Sequence, residues 1–180
     1  MTGTTMPTGR PAHAIDTMHV VARVGSERFA FRVADVEEVL DAPELVAVPA
    51  APAGLLGQLP HRAQTVRAYD AAWAFGIARS GTATTALVLR VADVRVALLV
   101  DDVEDLAALE AADMRPARAG TDSAGVLRGV CLPPAADNAP MPAAASADTS
   151  ALIGVVNAVA IVARASSLRG PVVSTTGGPQ

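Results

Sequence analysis

The chain has 180 residues, a net charge of −4 and a pI near 5.3, with 51% hydrophobic but only 3% aromatic residues. That is enough Val, Leu, Ile and Ala for an aliphatic core in one domain with room for two lobes. All 14 basic residues are Arg, and neither a basic face nor stacking aromatics emerge, which argues against a nucleic-acid binder.

Residues 1–16 are mostly Thr, Gly, Pro and Ala and read as a flexible tail without the apolar core of a signal peptide. Met18–Gly25 and Arg28–Val33 carry β-branched and aromatic residues around Gly-Ser-Glu, the pattern of a hairpin. Val33, Val36 and Leu40 then predict a short helical turn leading into a strand. Glu44–Pro52 begins as a strand that Pro49 and Pro52 must stop, because neither can donate to a ladder. Asp70–Ala78 predicts a short helix, capped by Asp70 and ended by Gly76. Thr84–Val91 and Val94–Val100 flank Ala92-Asp93 as a second hairpin. Val126–Pro134 predicts a further strand and 134–150, rich in Pro, Ala and Ser, a loop. Ala151–Val156 closes the strands, and Asn157 caps a helix running to about Leu168, beyond which a second tail follows. Short strands with few helices imply a mainly β protein built from small barrels. The longest apolar stretch, 151–163, is too short to span a bilayer, so a soluble cytoplasmic protein is expected.

Few residues suggest chemistry. The lone Cys131, between Val130 and Leu132, permits no intrachain disulfide and reads as a small buried hydrophobe. His13, His19 and His61 lack zinc-ligand spacing. The run Asp101, Asp102, Glu104 and Asp105 offers carboxylates to a divalent cation, but strand alternation divides it between two faces and the EF-hand spacing is missing. A solvated strand end is the simpler reading, with a metal-binding or enzymatic domain as the alternative. No nucleophile elbow, phosphate loop or dinucleotide fingerprint occurs, so neither an enzymatic activity nor a cofactor is expected.

The order of features resembles the CheW-like domain, the family of chemotaxis coupling proteins. Val36-Glu37-Glu38-Val39 matches its "V-x-E-V" turn, Val48-Pro49 with Pro52 its "V-P-x-x-P", and Val100-Asp101-Asp102-Val103 its "V-D-x-V". Met114-Arg115-Pro116, Gly129-Val130 and Leu152–Asn157 follow in the family order. Gly57–Asp70 stands where the family has a hairpin like "G-x-x-N-L-R-G-x-x-x-P-x-x-D-L": Gly57, Arg62 and Asp70 match, while Pro60, His61, Ala63, Arg67 and Ala71 depart.

The resemblance implies two SH3-like five-stranded β-barrel lobes over residues 17–168, with short helices and a C-terminal helix. It implies a non-enzymatic adaptor joining chemoreceptor tips to the regulatory domain of a histidine kinase; a divergent adaptor of a pilus or surface-motility pathway is the alternative. By position, Val33, Val36, Glu38, Val39 and Val100 become candidates for the receptor groove, with plain core as the competing reading for the valines. Leu56, Gly57, His61 and Arg62 become candidates for partner contact. If the family Gly takes positive φ, Ala63 costs about 1 kcal/mol in its place. Leu59, Val66 and Ala68 are expected on the hairpin's inner face, with His61 and Arg62 outward at the tip.

Overall fold

A computed structural model describes residues 17–78, 81–117, 122, 125–132 and 152–167. The expected loop 134–150, Leu168 and both expected tails lie outside the described residues.

Strands β1 (Met18–Val24) and β2 (Glu27–Arg32) form the first hairpin, turning at Gly25 with φ +63. A 3₁₀ turn, Val33–Asp35, leads into β3 (Val36–Asp41). The stretch 57–70 is a hairpin of β4 (Leu55–His61) and β5 (Gln64–Asp70). Helix α1 (Ala71–Phe75) starts where Asp70 Oδ1 accepts the Ala72 N–H at 2.8 Å, and stops at Gly76 with φ +71. Both ends follow from the residues: a short acceptor at the N-cap, and no Cβ where the left-handed region is needed. Strands β6 (Thr85–Val91) and β7 (Val94–Val100) pair across Ala92-Asp93. Strand β8 (Asp102–Ala108), β9 (Leu127–Cys131), β10 (Ile153–Val156) and α2 (Ala158–Ser167) complete the order. Asn157 Oδ1 accepts from Ala160 N at 3.4 Å at the start of α2.

These strands build two five-stranded sheets, β8-β1-β2-β10-β9 and β3-β6-β7-β5-β4. The chain crosses between them twice, through the Val33–Asp35 turn and through Asp101. Alternation sorts the apolar residues into three layers. Ala30, Val21, Cys131, Ile153 and Val155 fill one side of the first sheet. Leu59, Val66, Ala68, Ala86, Val88, Ala97 and Leu99 fill one side of the second. The opposite faces meet each other in the largest layer, where Val20, Phe29 and Phe31 of the first sheet pack with Leu87, Leu89, Val96, Leu98 and Val100 of the second. Phe75 of α1 stacks on Phe29 with centroids 3.9 Å apart. Helix α2 joins this layer through Ile161, Val162 and Ala165, and the Tyr69 hydroxyl donates to Ala165 O at 3.0 Å. The lobes therefore share their main core, and their relative placement is fixed by the same burial that stabilises each of them.

Three expectations need correction. Residues 44–52 form no strand; a single bridge joins Val46 to Gln58, beside prolines that prevent a longer ladder. The acidic run is no strand end: Asp102–Ala108 is a full edge strand, and Asp101 before it is buried. Alternation through 59, 61, 66 and 68 places His61 with Leu59, so His61 is inward and only 5% exposed.

Candidate functional site

The surface of interest is β3 together with the tip of the β4–β5 hairpin. These are neighbours because β3 and β4 are the two edges of the second sheet, and side chains rather than ladder hydrogen bonds join them.

A bulge organises β3. Val36 pairs with Leu89, Glu38 with Val88 and Val39 with Leu87, so Glu37 is the extra residue. Leu87 and Leu89 both face the layer between the lobes. Val36 and Val39 consequently share that face, although strict alternation would separate residues three apart. Val36 and Val33 are partly buried against the layer, whereas Val39 is 43% exposed. Val91 also packs partly exposed against this layer, and Val94 is exposed beside it. Val33, Val36 and Val39 make an apolar margin along β3, where the chain passes from the first sheet to the second. Val100, in contrast, is fully buried in the shared core and offers no surface.

The bulged Glu37 carboxylate is almost buried and gathers three cationic or titratable groups. Arg95 Nε donates to its Oε2 at 2.6 Å. Arg62 Nη1 stands 3.2 Å from its Oε1, and His61 Nε2 3.8 Å from the same oxygen. Glu38 lies beside it, with His61 Nδ1 at 3.5 Å and Arg62 Nη2 at 3.6 Å from its Oε2. Gln64 accepts from Arg95 Nη1 at 3.2 Å. The hydrogen bond from Arg95, reinforced by the nearby guanidinium charges, holds the Glu37 carboxyl below its ordinary range. The cluster seals the seam between β3 and β4 and leaves the Arg62 side chain exposed at its rim.

Each of the other candidate residues has a definite place. Arg62 occupies the turn with φ +53, so the left-handed conformation expected at Ala63 falls on Arg62 instead. Gly57 is buried, and a Cβ there would stand 2.8 Å from Val46 O. The residue is needed so that the 45–46 backbone can exchange two 2.8 Å hydrogen bonds with Gln58. Leu56 is the extra residue of a second register shift, between Leu55 and Gly57, and is 44% exposed near Val46, itself 57% exposed. Sequence reasoning singled out neither Glu37, which lies in the V-x-E-V stretch only as its unspecified residue, nor Arg95, which β7 brings to the seam from 58 residues away.

The acidic run is engaged elsewhere. Asp101 accepts from Gly25 N at 2.7 Å and faces Arg23 at 3.5 Å. Glu104 pairs with Arg23 and Arg28 at 3.6 and 3.0 Å, and Asp102 and Asp105 accept from the N–H groups of Val103 and Leu106. Among the described residues no three His, Cys, Asp or Glu side chains converge as a metal site, and no helix is long and apolar enough to cross a membrane.

A family model, the CheW-like domain, matches residues 19–138. The chain belongs to the CheW-like domain family. The fold agrees: the crystal structure of the scaffolding protein TtCheW from Thermoanaerobacter tengcongensis superposes with a TM-score of 0.66, at 16% identity, over 86% of this chain and 90% of that one. A search of curated proteins gives no match. As a CheW-like protein the chain falls among the scaffolds of chemotaxis-type signal transduction, and its two five-stranded sheets are the paired lobes of that fold.

Proposed function

We propose that this CheW-like protein is a cytoplasmic, non-enzymatic adaptor that couples chemoreceptors to the regulatory domain of a histidine kinase. The observation carrying this reading is the apolar margin of β3, where the Glu37 bulge sets exposed Val39 on the face of Val36, next to Val33 and the passage between the sheets. Such a strip suits the apolar face of a helix from a receptor tip, with Glu38 and Arg62 fixing register at its edge. Val100, the remaining groove candidate, acts from beneath as core. The kinase domain would meet the exposed Leu56 and Val46 on β4 and the adjoining arm, with Gly57 supporting that arm from below.

Titration calorimetry with the regulatory domain of a chemotaxis kinase from the same organism, and with a fragment of a receptor's helical tip, tests the proposal. Binding of both is expected, the receptor fragment being weakened by Val39→Asp and the kinase domain by Leu56→Asp. Failure of either partner to bind at tens of micromolar overturns the coupling role.

A further inference from the structure

The hairpin arginine has two carboxylates to choose between, and they are not equivalent. The shorter contact of Arg62 is to Glu37, at 3.2 Å, against 3.6 Å to Glu38. Glu37 is also the better anchored. Its side chain is 10% exposed where that of Glu38 is 37% exposed, and its second oxygen is held by Arg95 at 2.6 Å. Arg95 is itself fixed by Gln64, the first residue of β5 after the tip. A guanidinium that is 66% exposed would ordinarily sample many rotamers and lose that side-chain freedom when a partner immobilises it.

We infer that Glu37, braced by Arg95, is the positioning residue for Arg62. It holds the guanidinium in one orientation before any partner arrives, so that the exposed edge of Arg62 is presented ready-made to an acidic side chain of the partner. The bulge is what makes this possible. A regular strand would have no extra residue at this point, and Glu38 alone would face the tip. Preorganisation of this kind raises affinity by lowering the ordering cost rather than by adding a contact. The inference rests on the reading of the hairpin tip as a partner surface, but the orientation of Arg62 is a property of the free protein.

Two measurements test it on the whole chain. The first needs no partner: nitrogen-15 relaxation and exchange of the Arg62 guanidinium. Restricted motion is expected in the parent and in Glu38→Gln, with free rotation in Glu37→Gln and in Arg95→Met. Equal mobility in the parent and Glu37→Gln, or greater release by Glu38→Gln, overturns the inference. The second is a double-mutant cycle of Glu37→Gln with Arg62→Ala, read as affinity for the kinase domain and for the receptor fragment. Each single change should weaken one partner roughly fivefold to tenfold, and the double change no more than Arg62→Ala alone. Multiplying losses would overturn the positioning role. If the relaxation data behave as expected and Arg62→Ala leaves both affinities untouched, Glu37 still orients Arg62, and it is the reading of the tip as a partner surface that fails.

Discussion

Val36 and Val39 stand on the same face of one strand, three positions apart, because Glu37 bulges out between them. Burial divides the valine candidates further, since Val39 is 43% exposed and Val100 is fully buried. Val39→Ser should therefore leave the melting temperature nearly unchanged while lowering affinity for a receptor fragment. Val100→Ala should do the reverse, costing about 1–3 kcal/mol through the cavity it opens in the shared core. Thermal unfolding and titration calorimetry on both variants check the pair. Equal losses of stability would mean that Val39 is core as well.

At Gly57 a Cβ would lie 2.8 Å from the Val46 carbonyl oxygen, and 3.1 Å from Leu45 Cβ. The obstruction is backbone, which cannot rotate aside. Gly57→Ala should displace the 45–46 arm, break its two hydrogen bonds to Gln58 and destabilise the chain by about 1–3 kcal/mol. Amide hydrogen exchange at Val46 and Gln58 should rise in the variant more than at any residue of β1 or β2.

Among the described residues, His19 and Glu37 make stability sensitive to acid for opposite reasons. Burial lowers the His19 pKa, outweighing its hydrogen bond to Thr17 O. Below the ordinary histidine range the unfolded chain then binds a proton that the native one resists, so stability falls as pH drops through about 6.5. The Glu37 pKa is lowered by Arg95, so its contribution is complete above the ordinary carboxylate range and fades as pH falls below about 4.5. Denaturant unfolding between pH 8 and 3 should show two successive losses. His19→Gln should flatten the first and Glu37→Gln the second.

Much of this fold is legible in local chemistry. Asp70 and Gly76 bracket α1 because one offers an acceptor and the other lacks a Cβ, and both facts are visible in the sequence. Hairpins announced by alternating Phe29, Phe31 and by Val-rich runs around Ala92-Asp93 form as their pattern requires. The inward direction of His61 was also legible, since it is two residues from Leu59 and must share its face. A polar side chain read as a tip residue obscured that parity. The bulges at Glu37 and Leu56 were not legible. An extra residue is assigned by the partner strand's register, and the partner is distant in sequence. The seam cluster shares this limit, because Arg95 reaches Glu37 from 58 residues away.

The Cys131 thiol is 1% exposed, and burial, assisted by the negative charge of Asp113, raises its pKa. It should be inert to a thiol reagent at pH 8 and react only as the chain opens. Labelling followed over denaturant concentration should track global unfolding. Rapid stoichiometric labelling of the native protein would show that β9 opens locally.

The tip of the hairpin carries the last prediction. Arg62 adopts φ +53, a region that costs a non-glycine residue about 1–2 kcal/mol, whereas Ala63 is not among the residues with positive φ. Arg62 nevertheless contributes ion pairs to both Glu37 and Glu38. Arg62→Ala removes these pairs and keeps the strained backbone. Arg62→Gly removes them as well but relieves the strain. The glycine variant should therefore be more stable than the alanine variant by about 1 kcal/mol, less the entropy that glycine adds to the unfolded chain. Ala63→Gly has no strain to relieve and should be neutral or slightly destabilising, even though Gly is what the family pattern has at this point. Chemical denaturation of the three variants decides the matter. Stabilisation by Ala63→Gly, with Arg62→Gly no better than Arg62→Ala, would place the turn's left-handed residue at 63 and reverse this account of the tip.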